Sequence, residues 1–236
     1  MELLALDTFS DVCSAALLTD RLEKSRIAVR VTSEPRSHAS QLAVFAKELL
    51  GEHETASKRG PDGILVVKGP GSYTGLRIGI STAKGLAWSL DLPLYAVSTL
   101  HYLGLGATTA IEGSTLFVAI HARVGEVFAA RFVIKDHIVV RESEDKARSM
   151  EDFEAELSQF KGVSVLVSND NVLKSAAEKA SIPFEKVEPS LLNLTPLITN
   201  QIDKFRVEDL NSFEPAYLKE FVARKAAKNI FEKLQF

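Results

Sequence analysis

The segment from Lys68 to Ala87 is the part of the chain that most resembles a phosphate-binding loop in composition. It reads KGPGSYTGLRIGISTAKGLA and holds five of the thirteen glycines. A loop of the type GxxxxGK(S/T) ends in Gly-Lys followed by a hydroxyl residue, so that lysine and hydroxyl reach phosphate and magnesium. Here Lys84 precedes Gly85 instead. The dinucleotide pattern GxGxxG fails at Thr74, and the nucleophile elbow GxSxG fails at Pro70.

Two short stretches remain candidates for contact with an anion or a nucleotide. Asp7 and Thr8 end the first predicted strand, and Gly71 and Ser72 lie in the predicted turn from strand to helix. Backbone amides at a helix N-terminus can hold an anion. The ordinary interpretation of Asp7 is a turn aspartate that bonds nearby amides. The functional alternative is a small-molecule phosphotransferase or ATPase that uses Asp7 and Thr8 near phosphate.

Four small residues follow at intervals of four and share one face of a predicted helix: Gly75, Gly79, Ala83 and Ala87. Glycine inside a soluble helix costs about 1 kcal/mol relative to alanine. Two glycines on one nearly flat face therefore indicate the close approach of another backbone. That backbone belongs either to this chain's own sheet, which is the commoner case, or to another subunit.

Metal and thiol chemistry have little support in the sequence. No two histidines are separated by three or four residues, so a helical metal site is not predicted. Cys13, the one cysteine, lies in an apolar stretch where a small buried thiol is expected. The histidines are His38, His53, His101, His121 and His137.

Composition and charge narrow the class of protein. The 236 residues are 46% hydrophobic and 25% charged, which are ordinary globular values. A formal net charge of -3 gives no general attraction to nucleic acid, so any RNA contact is expected to be shared with a partner. No apolar run approaches the roughly 20 residues that span a bilayer. With no secretory signal and no possible internal disulfide, a cytoplasmic protein is predicted.

The order of predicted elements is that of an α/β fold. Apolar runs in Leu3–Leu18 and in Thr115–Ile134 each predict a β-hairpin. Sliding one over the other sets Leu4 to Asp7 against Val118 to His121, an offset of 114 residues. Such an offset indicates a duplication, although any two apolar hairpins look alike. Helices and single strands then alternate after each hairpin, which is typical of helices packed on mixed sheets.

Several of these helices have recognisable ends. The first shows apolar residues at helical spacing, including Leu42, Phe45 and Leu49, and Gly51 predicts its end. A capping box at Ser149 and Asp152 predicts the start of another. The tail predicts a final helix with one basic face, over Leu218–Leu234. The predicted lobes are residues 1–105, with the tail helix of about 217–236 packing back on them, and residues 106–216.

The motifs resemble those of the TsaB family, also called YeaZ, in order and in spacing. The likeness is strongest in the first hundred residues and weak over residues 133–196. His121 is a departure, because the family usually carries aspartate there. The motifs are LALDT (Leu4–Thr8), SHASQL (Ser37–Leu42), GPGSYTGLRIGISTAKGLA (Gly69–Ala87), LPLYAVSTL (Leu92–Leu100), EVFAARF (Glu126–Phe132) and PAYLK (Pro215–Lys219).

The resemblance implies a duplicated actin-like and sugar-kinase-like (ASKHA) fold with two lobes. It also implies a non-catalytic subunit of the complex that makes N6-threonylcarbamoyladenosine at position 37 of tRNAs that read codons beginning with A. Family members pair with a TsaD-like catalytic subunit, and a TsaE-like ATPase joins that pair. ATP or ADP and metal then belong to the partner subunits, and tRNA is met only through the complex. No membrane contact is implied, nor any peptidase activity.

Within this resemblance the glycine-rich helix is predicted to dock against the partner. We expect it to pack on TsaD, beside the preceding helix, and to support a homodimer when TsaD is absent. Arg77 is expected either to pair with a carboxylate of the partner or to be solvated. The predicted interface residues are Leu42, Phe45, Leu49, Gly75, Arg77, Gly79 and Ala83.

Overall fold

The computed structural model describes residues 1–20, 27–34, 37–57 and 60–219. The first of its two mixed sheets has the strand order β3-β2-β1-β4-β5. β1 pairs antiparallel with β2 and parallel with β4. The strands are β1 (Glu2–Asp7), β2 (Cys13–Thr19), β3 (Ala28–Thr32), β4 (Gly63–Val67) and β5 (Leu94–Val97). The helices are α1 (His38–Ser57), α2 (Tyr73–Ser89) and α3 (Thr99–Leu105).

The second sheet has the order β11-β10-β6-β7-β8, and β9 also pairs with β7. Its strands are β6 (Thr115–Arg123), β7 (Glu126–Lys135), β8 (Ile138–Arg141), β9 (Lys146–Ser149), β10 (Ser164–Ser168) and β11 (Phe184–Lys186). The α-helices are α4 (Met150–Gln159), α5 (Lys174–Ala180) and α6 (Thr195–Asn200). Short 3-10 helices cover Leu191–Leu194 and Ile202–Phe205.

The two sheets repeat one topology, which confirms the predicted duplication. In each sheet three antiparallel strands are followed by two parallel strands, with helices between them. The predicted register is wrong, however. The predicted alignment pairs Leu4 with Val118. Leu4 packs against α1 and α2 on the outer side of the first sheet, whereas Val118 packs in the core between the two sheets. A shift of one residue sets Ala5 against Val118, and both then lie in that central core.

Burial on both faces explains the apolar runs that were read as strands. Residues of both sheets form one core together with α3 and α6. α1 and α2 cover the far side of the first sheet, and α4 and α5 cover the far side of the second. Strands that are buried on both faces read as continuous apolar runs rather than as alternating patterns. The molecule is therefore layered as helices, sheet, helices, sheet, helices.

Element boundaries agree with the sequence at some caps and differ at others. Ser149 Oγ accepts the N–H of Asp152 at 3.0 Å, which confirms the predicted cap of α4. α1 continues through Gly51 to Ser57, so the end predicted at that glycine is wrong. The third antiparallel strands, β3 and β8, were not predicted; both are short and only partly buried. The predicted tail helix lies almost wholly outside the described residues, and the lobe boundary remains a prediction.

Within the described part of the chain, no helix combines the length and the apolar character needed to cross a membrane.

Candidate functional site

Gly75 and Gly79, the two glycines spaced by four in α2, pack against this chain's own backbone. A Cβ on Gly75 would overlap the carbonyl oxygen of Thr8, and a Cβ on Gly79 would overlap the Thr8 hydroxyl. That hydroxyl donates a 2.7 Å hydrogen bond to the carbonyl of Gly75. Ala83 is fully buried in the core under α1 and α2. The close approach inferred from the glycines is confirmed, but the approaching backbone is the turn that follows β1.

The predicted docking surface is therefore buried for the most part within its own chain. Its two leucines are completely buried, and Phe45 is half-buried against the same core. Only Arg77 is well exposed. The small residues lie on the inward face of α2. Their spacing in the sequence shows that they share one face, but it does not show whether that face points inward or outward. The residues that lie inside the chain are Leu42, Leu49, Gly75, Gly79 and Ala83.

The exposed side of the α1–α2 pair carries an apolar groove of about 460 Å³, which we call the α1–α2 groove. Lys47 and Glu54 are its charged lining residues. Gly51 lines it on α1, and Gly85 lies on the exposed side of α2 between Thr82 and Leu86 in sequence. The groove is lined by Ala43, Ala46, Lys47, Leu50, Gly51, Glu54, Thr82 and Leu86.

Gly51 and Gly85 have no packing role within the described residues. A Cβ built at either position has no atom of the described residues within 4 Å, once the glycine's chain neighbours and its own helix backbone are set aside. Alanine would therefore fit at both sites and would be preferred by about 1 kcal/mol in a helix. Sequence reasoning missed this surface because it followed the glycines spaced by four. Gly85 falls outside that spacing.

The second sheet offers an internal comparison. Its outer helices α4 and α5 stand where α1 and α2 stand on the first sheet. Their exposed surface carries ion pairs, with Lys179 Nζ 2.8 Å from Glu154 Oε1 and Lys174 Nζ 4.0 Å from Glu178 Oε1. Such pairs are typical of a solvated face. Ion pairs also occur on α1, where Glu48 and Glu52 meet Arg30. The two helix pairs differ in that α1 and α2 carry exposed glycines, whereas α4 and α5 contain no glycine.

Asp7 is enclosed at the end of β1. Its Oδ1 accepts the N–H of Phe9 at 3.0 Å, while Oδ2 has no hydrogen-bond partner of good geometry among the described residues. The hydroxyl of Tyr102 lies beside Asp7 and likewise makes no hydrogen bond of good geometry with the described residues. Burial raises the pKa of Asp7 to about 7, against the lowering effect of hydrogen bonding from Phe9, Tyr102 and Thr8. Phe9 and Tyr102 pack edge to face, with ring centroids 6.1 Å apart.

The proposed anion contacts are not assembled into an open site. Asp7 and Thr8 are both buried, so neither side chain is open to solvent in this structure. Gly71 crosses the turn after β1 so closely that a Cβ would overlap the carbonyl of Phe9. Ser72 donates its N–H to that carbonyl at 2.7 Å, and its Oγ accepts the N–H of Gly75 at 3.2 Å. The loop that would cradle phosphate is instead bonded to its own chain.

Arg77 is held by two tyrosines of the same chain. Its Nε donates to the hydroxyl of Tyr217 at 2.9 Å, and its guanidinium carbon lies 4.1 Å from the ring centre of Tyr73. The bond to Tyr217 raises the pKa of Arg77, so the group stays charged. The expected contact with a partner carboxylate therefore has to use the remaining guanidinium nitrogens.

A cleft of about 670 Å³ lies between β5, β8 and residues 201–213. Several of its charges already serve the fold. Asp145 accepts hydrogen bonds from Ser98 and Arg141, both at 2.6 Å, and so ties the two sheets together. Among the described residues no group of three histidine, cysteine or acidic side chains is placed to hold a metal ion.

Comparison with known proteins agrees with this architecture. A family model described as TsaD, tRNA N6-adenosine threonylcarbamoyltransferase, matches residues 30–161. The protein named tRNA threonylcarbamoyladenosine biosynthesis protein TsaB from Escherichia coli K12 is 27% identical over 230 residues, covering 95% of this chain and 97% of its own. The chain belongs to the TsaB (YeaZ) family. His121, where the family usually carries aspartate, is exposed near the end of β6.

Further relatives support the same family and fold. TsaB from Bacillus subtilis 168 is 36% identical over 141 residues, which cover 59% of this chain and 58% of that protein. A crystal structure of YeaZ from Pseudomonas aeruginosa superposes with a TM-score of 0.70 at 24% identity, over 92% of this chain and 99% of that one. A second Pseudomonas aeruginosa structure, described as similar to peptidase YEAZ, gives a TM-score of 0.73 at the same identity and coverage. The predicted α/β fold, with two mixed sheets flanked by helices, is thereby confirmed and is shared with YeaZ.

Proposed function

We propose that this protein is a non-catalytic scaffold and activator in the synthesis of N6-threonylcarbamoyladenosine at position 37 of tRNAs that read codons beginning with A. It acts by docking a TsaD-like catalytic subunit into the α1–α2 groove. Gly51 and Gly85 carry this proposal, because both stand on exposed sides of their helices and no contact with the described residues explains them. The name shared by the relatives supports the pathway.

The groove has the composition of a docking surface. Interfaces have an apolar core and a polar rim, and here Leu50, Leu86 and small residues are bordered by Lys47 and Glu54. Exposed glycines let the backbone of a partner helix approach closely, which offsets their cost within the monomer. α4 and α5 contain no glycine. The same groove supports a homodimer when the catalytic subunit is absent.

The enclosed end of β1 favours a passive role for this chain. A phosphotransferase or ATPase of this fold would need Asp7 and Thr8 to reach phosphate, whereas both are buried under Phe9, Tyr102 and the loop before α2. We therefore assign ATP or ADP, metal and the transfer chemistry to the partner subunits. A TsaE-like ATPase joins the assembled pair in the cytoplasm, and tRNA is bound by the complex.

Binding to the catalytic subunit from the same organism tests the groove. Leu86→Glu and Gly85→Phe should each weaken that binding by about thirtyfold or more, which is the loss typical of a central interface residue. Ser175→Glu, exposed on α5, should bind as the unaltered protein does. Calorimetric titration gives the affinity, and circular dichroism reports that each variant is folded. Full affinity in folded Gly85→Phe and Leu86→Glu variants would reject the groove as the docking site.

A further inference from the structure

One exposed face of α2 carries alternating aromatic and hydrogen-bonding side chains. Residues spaced by three or four positions lie on the same side of a helix. Five such residues follow one another with spacings of four, four, three and four, over about 22 Å of helix at 1.5 Å per residue. They are Tyr73, Arg77, Ser81, Lys84 and Trp88, and we call them the α2 outer stripe.

Arg77 presents a guanidinium that is already oriented. Tyr73 lies under its plane, and Tyr217 accepts from its Nε, so the side chain is held before any ligand arrives. Its two terminal nitrogens make no hydrogen bond with the described residues. A fixed guanidinium fork is suited to bidentate contact with a phosphate or a carboxylate.

Lys84 extends the stripe with a second fixed cation. Its Nζ donates to the carbonyls of Asn211 and Phe213, at 3.2 and 3.0 Å. An ammonium has three donors, so one remains for a ligand. Ser81 lies between Arg77 and Lys84 on the same face, and these three residues line one shallow cleft of about 230 Å³ with the segment that contains Tyr217.

Trp88 ends the stripe, and no contact with the described residues explains its position. It is the only tryptophan in the chain, and 72% of its surface is exposed. Its ring has no aromatic or cationic partner within the described ranges. An indole left in solvent at the end of a helix can stack on a base or fill a pocket of a protein partner.

We propose that the α2 outer stripe is an RNA-contact surface that takes a single-stranded or looped segment. Arg77, Ser81 and Lys84 bind phosphates, and Trp88 stacks on a base. Aromatic rings interleaved with cations are the chemistry of sequence-tolerant single-strand binding, and unstacked loop bases are what aromatic side chains recognise in RNA. This inference rests on the proposed function, because that function supplies tRNA as the partner.

The stripe and the groove can act at the same time. The groove lies on the side of α2 that faces α1, whereas the stripe lies on the side that faces residues 211–217. Glu214 also lines this cleft and Asp209 lies near Lys84, so the local positive charge is partly offset and the partner has to supply the remaining attraction for phosphate. One helix thereby faces a protein on one side and RNA on the other.

The stripe is tested by measuring RNA affinity. The chain is assembled with its catalytic partner and titrated against a labelled, unmodified tRNA transcript that reads a codon beginning with A. Trp88→Ala should weaken RNA binding by about tenfold, in line with the loss of one stacked base. Ser81→Glu should weaken it by a similar factor and Ser175→Glu should not. Ultraviolet cross-linking should join the RNA to a peptide of α2.

Co-elution of each variant with the catalytic partner separates the two proposals. Intact co-elution with weakened RNA binding supports the stripe. Unchanged RNA affinity in Trp88→Ala and Ser81→Glu overturns it, as does a loss of co-elution in Trp88→Ala, which would assign the indole to a protein interface. If the unaltered chain does not co-elute, the proposed docking fails instead. Cross-linking of the chain alone then decides the stripe, since a cross-link within α2 supports it and its absence overturns it.

Discussion

The Thr8 hydroxyl donates a hydrogen bond to the carbonyl of Gly75 at 2.7 Å and occupies the space that a side chain on Gly79 would need. One hydroxyl therefore joins the turn after β1 to α2 across 67 residues of sequence. Gly75 and Gly79 are explained by this contact. What is exposed on α2 is the opposite side of the helix, with Gly85 and Trp88.

Gly79→Ala is expected to destabilise the fold. The new Cβ overlaps the Thr8 hydroxyl, and overpacking of this kind costs about 1–3 kcal/mol. Urea unfolding should show the midpoint moving to lower concentration with an unchanged slope. In a double-mutant cycle with Thr8→Ala the two changes should be strongly non-additive, because they share one contact. Simple additivity would argue against that contact.

Gly51→Ala and Gly85→Ala should have the opposite effect. Each adds a methyl group where no described atom outside the helix backbone and chain neighbours lies within 4 Å. Each should therefore raise the free energy of unfolding by up to about 1 kcal/mol through helix propensity. Thermal unfolding of the isolated chain is the measurement. A loss of stability in either variant would mean that the glycine serves its own fold.

Asp7 should make the stability of the fold depend on pH. Its pKa is raised to about 7 in the folded chain, against 3.8 for the ordinary group. The folded state therefore holds a proton that the unfolded state has lost. The contribution of Asp7 to the free energy of unfolding is therefore highest below pH 4 and falls as pH rises to about 7, by about 4 kcal/mol at most.

His101 acts in the opposite sense and has to be separated from Asp7. Burial and the nearby Arg141 lower the pKa of His101 to about 4, so its contribution to stability is gained as pH rises from about 4 to 6.5. Comparison with Asp7→Asn isolates the carboxyl. This variant should be more stable than the unaltered chain at pH 8 and similar at pH 4. Asp11→Asn, exposed in the same turn, should keep the original profile.

The sequence predicts the elements better than it predicts their orientation. Apolar runs locate both hairpins, and the cap at Ser149 locates the start of α4, because these signals are local. The inward face of α2 is not local information, since it depends on where Thr8 lies in the folded sheet. The same limit explains the register error between Leu4 and Val118, because apolar residues on both faces of a buried strand do not distinguish one face from the other.

The candidate surface was only partly accessible to sequence reasoning. Arg77 was identified by its place on the helix, while Tyr217, which orients it, lies 140 residues away. Gly51 was taken as a helix end because glycine commonly follows a last turn. Its role becomes visible only when the helix is seen to continue past it and its surroundings are seen to be open.

Reconstitution of the modification tests the central claim most directly. The catalytic subunit and the ATPase from the same organism are combined with tRNA, ATP and the threonylcarbamoyl donor system, and modified adenosine is measured with each form of this chain. We predict that modification requires the chain, survives Asp7→Asn and Ser175→Glu, and is lost with Gly85→Phe. Modification that proceeds without the chain, or that Asp7→Asn abolishes while the complex still forms, would contradict the scaffold account.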